Sequence, residues 1–241
     1  MFFPWRARTP EIMDGVAFTA AELEHNLADL DRYHRVTGGE RLLVSRLAVL
    51  ARDLPRGEDL RVLDVGAGGA GIAARVSAWA RRRGLVPRVV ASDIDARMLT
   101  HASARRLPGA DVALCQSDGR HLPHADGAFA VAYSSLLLHH LDDADVASVL
   151  DEMRRVTRLG FVVADLRRSA LAYSAVWALT RLTTRNRLTL HDGPLSVRRS
   201  FTPGEMRAAA SRLPGEGLTV RRQGPARLVV TFRHETARGA A

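Results

Sequence analysis

Three carboxylates at recurring positions are the residues of this chain best suited to chemistry. Asp64 stands in the run RVLDVGAGGAG, two residues ahead of Gly66 at the end of an apolar segment; Asp93 closes a second apolar segment in VVASDID; Asp118 follows the apolar run ALCQ in SDGRHLP. Gly66 and Gly68 let backbone approach a ligand with no Cβ in the way. With Gly71 they satisfy G-x-G-x-x-G, so the turn alone fits a dinucleotide, another nucleoside ligand, or a tight βα turn with no ligand. Asp64 breaks that tie, because a carboxylate there suits the ammonium of a methionine moiety and would repel a pyrophosphate. Asp93 can take both ribose hydroxyls, which any nucleoside cofactor would use, and Asp118 can accept from an adenine amino group. Each could be a solvated turn residue. All three fall at successive strand C-termini, where open α/β sheets bind ligands.

The elements that must position them follow from the hydrophobic pattern. Residues 1–10 read as a loose arm. Residues 20–52 read as two helices broken at Gly38-Gly39, so that 1–57 form an arm and helical cap. From residue 58 short apolar runs alternate with amphipathic segments, the βαβ pattern. Strands are predicted at Leu60–Val65, Arg88–Ser92, Asp111–Cys115, Phe129–Ser134 and Gly160–Ala164, with helices over Ala70–Arg83, Ala96–Arg106 and Asp143–Thr157. An insertion, 166–202, contains an apolar helix over Leu171–Leu182. A short helix starts at Pro203 with Thr202 as N-cap, and strands Leu218–Arg222 and Arg227–Arg233 end the pattern. The expected fold is α/β: a Rossmann-like, seven-stranded, mostly parallel sheet with an antiparallel C-terminal strand, carried by residues 58–241.

VLDVGAGGAG, SDIDARML and SDGRHLPHADGAFAVAYSSLLLHHL together resemble the successive motifs of class I S-adenosylmethionine-dependent methyltransferases, in particular the small-molecule group of bacterial secondary metabolism. The resemblance covers about residues 58–165 and implies the seven-stranded fold and S-adenosyl-L-methionine as cofactor. Carried over by position, Asp64, Gly66, Ala67 and Gly68 would hold the methionine end, Asp93 and Ile94 the ribose side, Asp118 and Gly119 the adenine, and Ser134 would line the cleft. One departure stands out: the family's third glycine position holds Ala70, and Gly71 comes one residue late.

Composition narrows the alternatives. The chain has 241 residues, 46% of them apolar, and no apolar run reaches the roughly 18–20 residues that span a bilayer. The start, MFFPWRARTPEIMDG, has Arg and Pro where a signal peptide needs its apolar stretch, so a soluble cytoplasmic protein is expected. All 35 basic residues are Arg, which reads as a coding bias and not as a nucleic-acid face despite the formal charge of +9. The missing Lys excludes a P-loop, a Schiff base and the Tyr-x-x-x-Lys pair of short-chain dehydrogenases. Cys115 is the only cysteine, excluding an internal disulfide, and a buried packing role is expected for it. A nucleic-acid adenine methyltransferase would carry Asn/Asp-Pro-Pro-aromatic where this chain reads Ser134-Ser135-Leu136-Leu137.

The expected reaction is methyl transfer to a small hydrophobic acceptor, O-methylation of a phenolic, polyketide- or quinone-like molecule. C-methylation, a nucleic-acid acceptor and a non-catalytic cofactor-binding module stay open, as does a monomer or a homodimer. A phenol must lose a proton, for which His139, His140 or, in reserve, His191 is suited. Tyr173 and Trp177 on the insertion helix and Arg198 after it are candidates for the acceptor pocket. No metal site is expected: His121, His124 and Asp126 lie in a loop, and His139 and His140, on one helical turn, should point about 100° apart.

Overall fold

The computed structural model describes residues 3–15, 17–105, 112–213 and 217–235. Seven strands form one sheet in the order β3-β2-β1-β4-β5-β7-β6, the strands being β1 Asp59–Val65, β2 Val86–Asp93, β3 Val112–Gln116, β4 Phe129–Ser135, β5 Thr157–Leu166, β6 Leu218–Gln223 and β7 Arg227–Arg233. β1 to β5 pair in parallel, and β7 enters antiparallel between β5 and β6. The expected architecture is the one observed. Central β4, FAVAYSS, is buried along nearly its whole length, as a parallel strand covered on both faces must be. Edge strand β3 is half exposed, so Cys115, expected inside, is only partly covered. Asp111 and Arg106, where the sequence pattern starts that strand and ends the preceding helix, lie outside the described residues.

Helices α1 Ala20–Val36, α2 Gly39–Leu50, α3 Ala73–Arg82 and α4 Ala96–Ala104 precede β3; α5 Asp143–Arg155, α6 Ala170–Thr183, α7 Arg187–Arg199 and α8 Pro203–Ala210 follow β4. α1 opens on a reciprocal Thr19–Glu22 capping box, and α8 on a Thr202–Glu205 box with Pro203 in the first turn. Gly38, at φ +72°, makes the break between α1 and α2 that its type forecasts. Leu43, Leu47, Val76 and Tyr133 join α2 and α3 to one face of the sheet; Leu150, Met153, Phe161, Phe201 and Met206 join α5 and α8 to the other.

Two parts of the molecule differ from expectation. Residues 3–10 are fastened down: Arg6 donates to Arg199 O at 2.7 Å, Leu141 O at 2.8 Å and Asp143 at 2.9 Å, with its guanidinium 3.6 Å above the Phe201 ring. Arg168 donates to Phe3 O and Pro4 O, and the Phe3 and Tyr173 rings meet at 4.9 Å. The insertion also holds a second helix, α7, despite Gly193 and Pro194 within it. Asn186 caps α7 through Leu188 N–H, and a Cβ on Gly193 would press on Thr180 of α6 at 3.0 Å. The glycine is there for helix contact, at a place where its type argues against a helix.

Candidate active site

The sheet's C-terminal edge carries the glycine turn. Gly66 and Ala67 N–H groups both donate to Ser92 O at 2.9 Å, tying the turn to the end of β2. Gly66 and Gly68 take φ of +69° and +52°, and a Cβ on Gly66 would meet the Leu137 side chain at 2.8 Å. Ala70, at the third glycine position, takes φ +54° itself, while Gly71 owes its type to Asp31, whose carboxylate a Cβ would strike. The departure in sequence is therefore accommodated by a strained alanine.

Around this turn opens a cavity of about 340 Å³ whose wall includes Asp14, Asp31, Asp64, Asp93 and Asp95. Asp64 is buried, accepts a 2.7 Å hydrogen bond from Tyr133 Oη, and is pushed up to about 7 by burial, with Asp93 adding to the rise. Asp93 Oδ2 accepts from Gly68 N–H at 2.8 Å and Oδ1 from Asp95 N–H at 2.9 Å; burial raises its pKa. Ile94 is 61% exposed at the same wall, an apolar plate beside the carboxylates. An acidic cavity of this kind suits a ligand with an ammonium and a sulfonium, and opposes a pyrophosphate.

Other predicted cofactor residues lie differently. Asp118 is held by Arg120, at 2.7 and 3.0 Å, and Arg120 also reaches Asp145; Arg120's paired hydrogen bonds lower the Asp118 pKa. Gly119 sits where a Cβ would meet Val65 at 3.1 Å. Ser134 is fully buried and donates to Val65 O at 2.7 Å; its neighbours Ser135, Leu136 and Leu137 form the cavity wall instead. Leu136, at φ +57°, is a strained residue at this edge.

A second, more apolar cavity of about 180 Å³ adjoins the first, between α1, α6, α7 and the turn after β4. Met13, Leu30, His34, Leu136 and His140 belong to both walls. Its α6 side is Val176, Leu179 and Thr180, the face that Gly193 draws against α7. The predicted acceptor residues stand elsewhere. Trp177, one residue on from Val176, is turned outward at 44% exposure under the Arg181 guanidinium, Tyr173 packs on Phe3, and Arg198 lies over the Phe3 ring. The insertion's apolar helix has two candidate faces, and contact with α7 selects the other one.

The histidines gather at the junction, with one exception. His139 and His140 lie on a 3₁₀ turn, Leu138–His140, with rings 4.3 Å apart. His139 Nδ1 faces Asp165 Oδ1 at 2.7 Å and His140 Nδ1 faces Asp14 Oδ1 at 2.8 Å, leaving both Nε2 atoms turned toward Glu11 at 3.6 and 3.8 Å. The expected divergence of the two rings is not observed: each Nδ1 is drawn to its own carboxylate, and the ring planes stand 37° apart. Burial is the largest single influence on Asp14 and works to raise it, but the hydrogen bond and charge of His140, the Glu11 N–H and Arg199 together outweigh it and hold that carboxyl at about 2; burial lifts Glu11 to about 7. His191, the reserve candidate, is half exposed and paired with Asp192.

Three residues at the junction carry no sequence signal. Glu11 comes from the arm. His34, from α1, is buried and lowered to about 4 by burial, and its Nδ1 has no partner. Arg227, from β7, lines the second cavity with its Nη1 unpaired, and Gly39 makes room for its guanidinium.

Residues 62–160 match a family model described as a methyltransferase domain. No curated protein is matched by the sequence. Among solved structures, the chain is similar to a SAM-dependent methyltransferase from Aquifex aeolicus, with 18% identity and TM-score 0.57 over 89% of this chain and 98% of that one. It is similar to human N-acetylserotonin methyltransferase in complex with SAM, at 16% identity and TM-score 0.62, over 90% of this chain and 57% of that one. It is also similar to the plantazolicin methyltransferase in complex with SAH, at 9% identity and TM-score 0.64, over 90% and 95%. At these identities the likeness speaks for the fold. No helix among the described residues is long and apolar enough to cross a membrane.

Proposed function

We propose that this chain, whose residues 62–160 match a methyltransferase domain, is a class I S-adenosylmethionine-dependent methyltransferase and that it methylates a small hydrophobic acceptor held in the second cavity, by O-methylation of a phenolic, polyketide- or quinone-like hydroxyl. The observation that carries this reading is the shared wall: an acidic cavity at the glycine turn and an apolar one beside it meet at His140, Leu136 and His34. Two structural neighbours support a small-molecule acceptor, being by name methyltransferases of N-acetylserotonin and of plantazolicin.

The residues present fit the cofactor. Ionised Asp64 would receive the ammonium, the Gly66–Gly68 backbone would hold the methionine end, Asp93 would take the ribose hydroxyls and Ile94 the nucleoside side; Asp118 and Gly119 remain the adenine candidates. When bound, S-adenosylmethionine supplies an electrophilic methyl group on a positively charged sulfur. The protein's first task is then to align the acceptor oxygen, which the apolar walls Val176, Leu179 and Leu136 do by shape. Arg227, beside the uncharged imidazole of His34, gives that cavity a polar end, where its guanidinium would neutralise an acidic group of the acceptor or donate to a carbonyl. The hydroxyl proton goes to His140 Nε2, whose Nδ1–H is oriented by Asp14 in the manner of a carboxylate–histidine pair. His139, wholly buried on Asp165, holds the turn that presents it.

The deciding experiment incubates purified protein with labelled S-adenosylmethionine and a panel of phenolic acceptors, and reads product mass and the methylated atom. A product bearing one methyl on oxygen is expected. Methyl on carbon would move the reading to C-methylation in the same cavity; calorimetric binding of S-adenosylmethionine with no acceptor turned over would leave a binding module; binding of NAD in its place would end the proposal.

A further inference from the structure

We infer that Glu11, His139 and His140 form a binding site for one first-row divalent transition-metal ion, on the wall of the second cavity. Both imidazoles are preset as ligands. Each Nδ1 is engaged by its own carboxylate, Asp165 at 2.7 Å and Asp14 at 2.8 Å, and each Nε2 is thereby left with its lone pair facing the same point. Carboxylate partners on the far nitrogen are the arrangement that fixes tautomer and orientation in histidine metal sites. The third donor, the Glu11 carboxylate, is 3.6 Å from one Nε2 and 3.8 Å from the other. All three donor atoms lie within 4.8 Å of one another. Two ligands about 2.1 Å from a tetrahedral ion stand about 3.4 Å apart, so the donors need only small movements to close on it. Ser196 Oγ donates to Glu11 Oε1 at 2.8 Å and orients the carboxylate.

Charge points the same way. Glu11, Asp165 and Asp192 are each 3% exposed, and Asp14 is half-buried beside them. One guanidinium, Arg199, is in contact with this group, donating to Asp14 and to the His139 and His140 carbonyls. Carboxylates out of water need cations close by, and Arg199, even with Arg227 on the Asp165 side, leaves four carboxyl groups short of positive charge. Two imidazoles and one carboxylate select for Zn²⁺, Co²⁺, Fe²⁺ or Mn²⁺ over Mg²⁺ and Ca²⁺, which prefer all-oxygen shells. Three protein donors leave coordination positions open, and since all three residues line the second cavity, an acceptor oxygen there could fill one; with the ion bound His140 Nε2 is a ligand, and its role as base belongs to the metal-free protein. That last use rests on the acceptor reading above; the binding of the ion does not.

The test titrates full-length protein, stripped of metal by chelator, with Co²⁺ and then Zn²⁺, following the visible d–d absorption of Co²⁺. One equivalent should bind, with Zn²⁺ displacing Co²⁺. Glu11→Gln and His140→Ala should weaken uptake at least tenfold, and Asp165→Asn, acting through His139, should weaken it by roughly 10–100-fold. Folded wild-type protein that binds neither ion would overturn the inference, as would Glu11→Gln and His140→Ala variants that bind like wild type. Should a variant fail to fold, the wild-type titration alone decides. S-adenosylmethionine binding, measured on the same stripped protein, separates the two failures: cofactor binding without metal uptake overturns only the ion site and leaves His140 as a free base.

Discussion

The glycine-turn cavity and the histidine cavity are built in opposite ways. The first is assembled from neighbours: Asp64, Gly66, Gly68 and Asp93 lie within 30 residues of one another, on two paired strands and the turn between strand and helix. The second is assembled from the ends of the chain. Glu11 of the arm, His34 of α1, His140 after β4, Thr180 of α6 and Arg227 of β7 meet only because the arm is pinned across α7 and β7 enters beside β5. Local construction makes the cofactor side a property of the fold. Long-range construction lets the second cavity, where we propose the acceptor binds, be specific to this chain.

The sharpest way to break that contrast is to remove the group that belongs to both walls. His140→Ala should cut kcat by about 10²–10⁴, the usual worth of a general base, while S-adenosylmethionine affinity stays within a few-fold. His191→Ala, a half-exposed residue outside both walls, should leave kcat within a few-fold. Steady-state kinetics and calorimetry on the three proteins settle it; equal losses from both substitutions would show that the shared wall is not where the proton goes.

The reverse experiment acts on the cofactor side. Asp64→Ala and Asp93→Ala should each weaken S-adenosylmethionine binding by about 1.5–3 kcal/mol, the scale of a hydrogen bond to a charged group, with acceptor KM little changed. Asp64 adds a pH signature. Its folded pKa of about 7 lies above the ordinary carboxyl value, so stability falls as pH rises from about 4 toward 7, where the unfolded chain ionises and the buried group resists. Binding an ammonium requires the ionised form. Affinity should therefore fall up to tenfold per unit as pH drops below about 7, with a proton released on binding there. Asp64→Asn, which still accepts from Tyr133, should bind weakly with a flat profile between pH 5.5 and 8, the range over which calorimetry would be run.

What the sequence made legible follows the same division. The strand-end carboxylates could be read because strand, turn and helix put them at fixed spacing, and the antiparallel last strand because two apolar runs close the chain. Glu11 could not be read: its partners His139 and Ser196 are 128 and 185 positions away, and nothing in EIMD distinguishes it from a solvated turn. Trp177 misled because α6 is apolar on more than one side, and only Gly193 on the facing helix shows that Val176 and Thr180 turn inward. Gly193-Pro194 hid α7 for the same reason, being residues chosen for a neighbour and not for the helix. Ser134 was one residue out of phase: on a strand, that sends its hydroxyl to Val65 O while Ser135 meets the cavity.

The arm offers a third, smaller test, since its anchoring creates the second cavity. Arg6→Ala removes donors to two carbonyls and Asp143 and the stack on Phe201, and should cost about 1–2 kcal/mol, lowering Tm by a few degrees in a domain of this size. Acceptor KM should rise with it. An unchanged Tm would mean that the arm merely lies on the surface, and that Glu11 is not held at the junction.

The smallest expected effect separates two residues that sequence alone confuses. The glycine motif here reads Ala70-Gly71 where the family has glycine first, as if the glycine had slipped by one. The backbone says otherwise: Ala70 keeps the positive φ of +54°, and Gly71 is small because the Asp31 carboxylate, itself paired with Arg105, lies against it. For Ala70→Gly, relief of a left-handed alanine is worth about 1–2 kcal/mol. Against this stand about 0.4–1 kcal/mol of extra freedom in the unfolded chain and about 0.8 kcal/mol for a methyl group that is fully buried. The terms nearly cancel, so chemical denaturation should find less than about 1 kcal/mol of change in either direction. Gly71→Ala has no such compensation: the new methyl must displace Asp31 from Arg105, an overpacking cost of about 1–3 kcal/mol. If Ala70→Gly instead stabilises strongly while Gly71→Ala is neutral, the turn has the family's own geometry with its glycine merely displaced, and the strain assigned to Ala70 is larger than any offset from its methyl group.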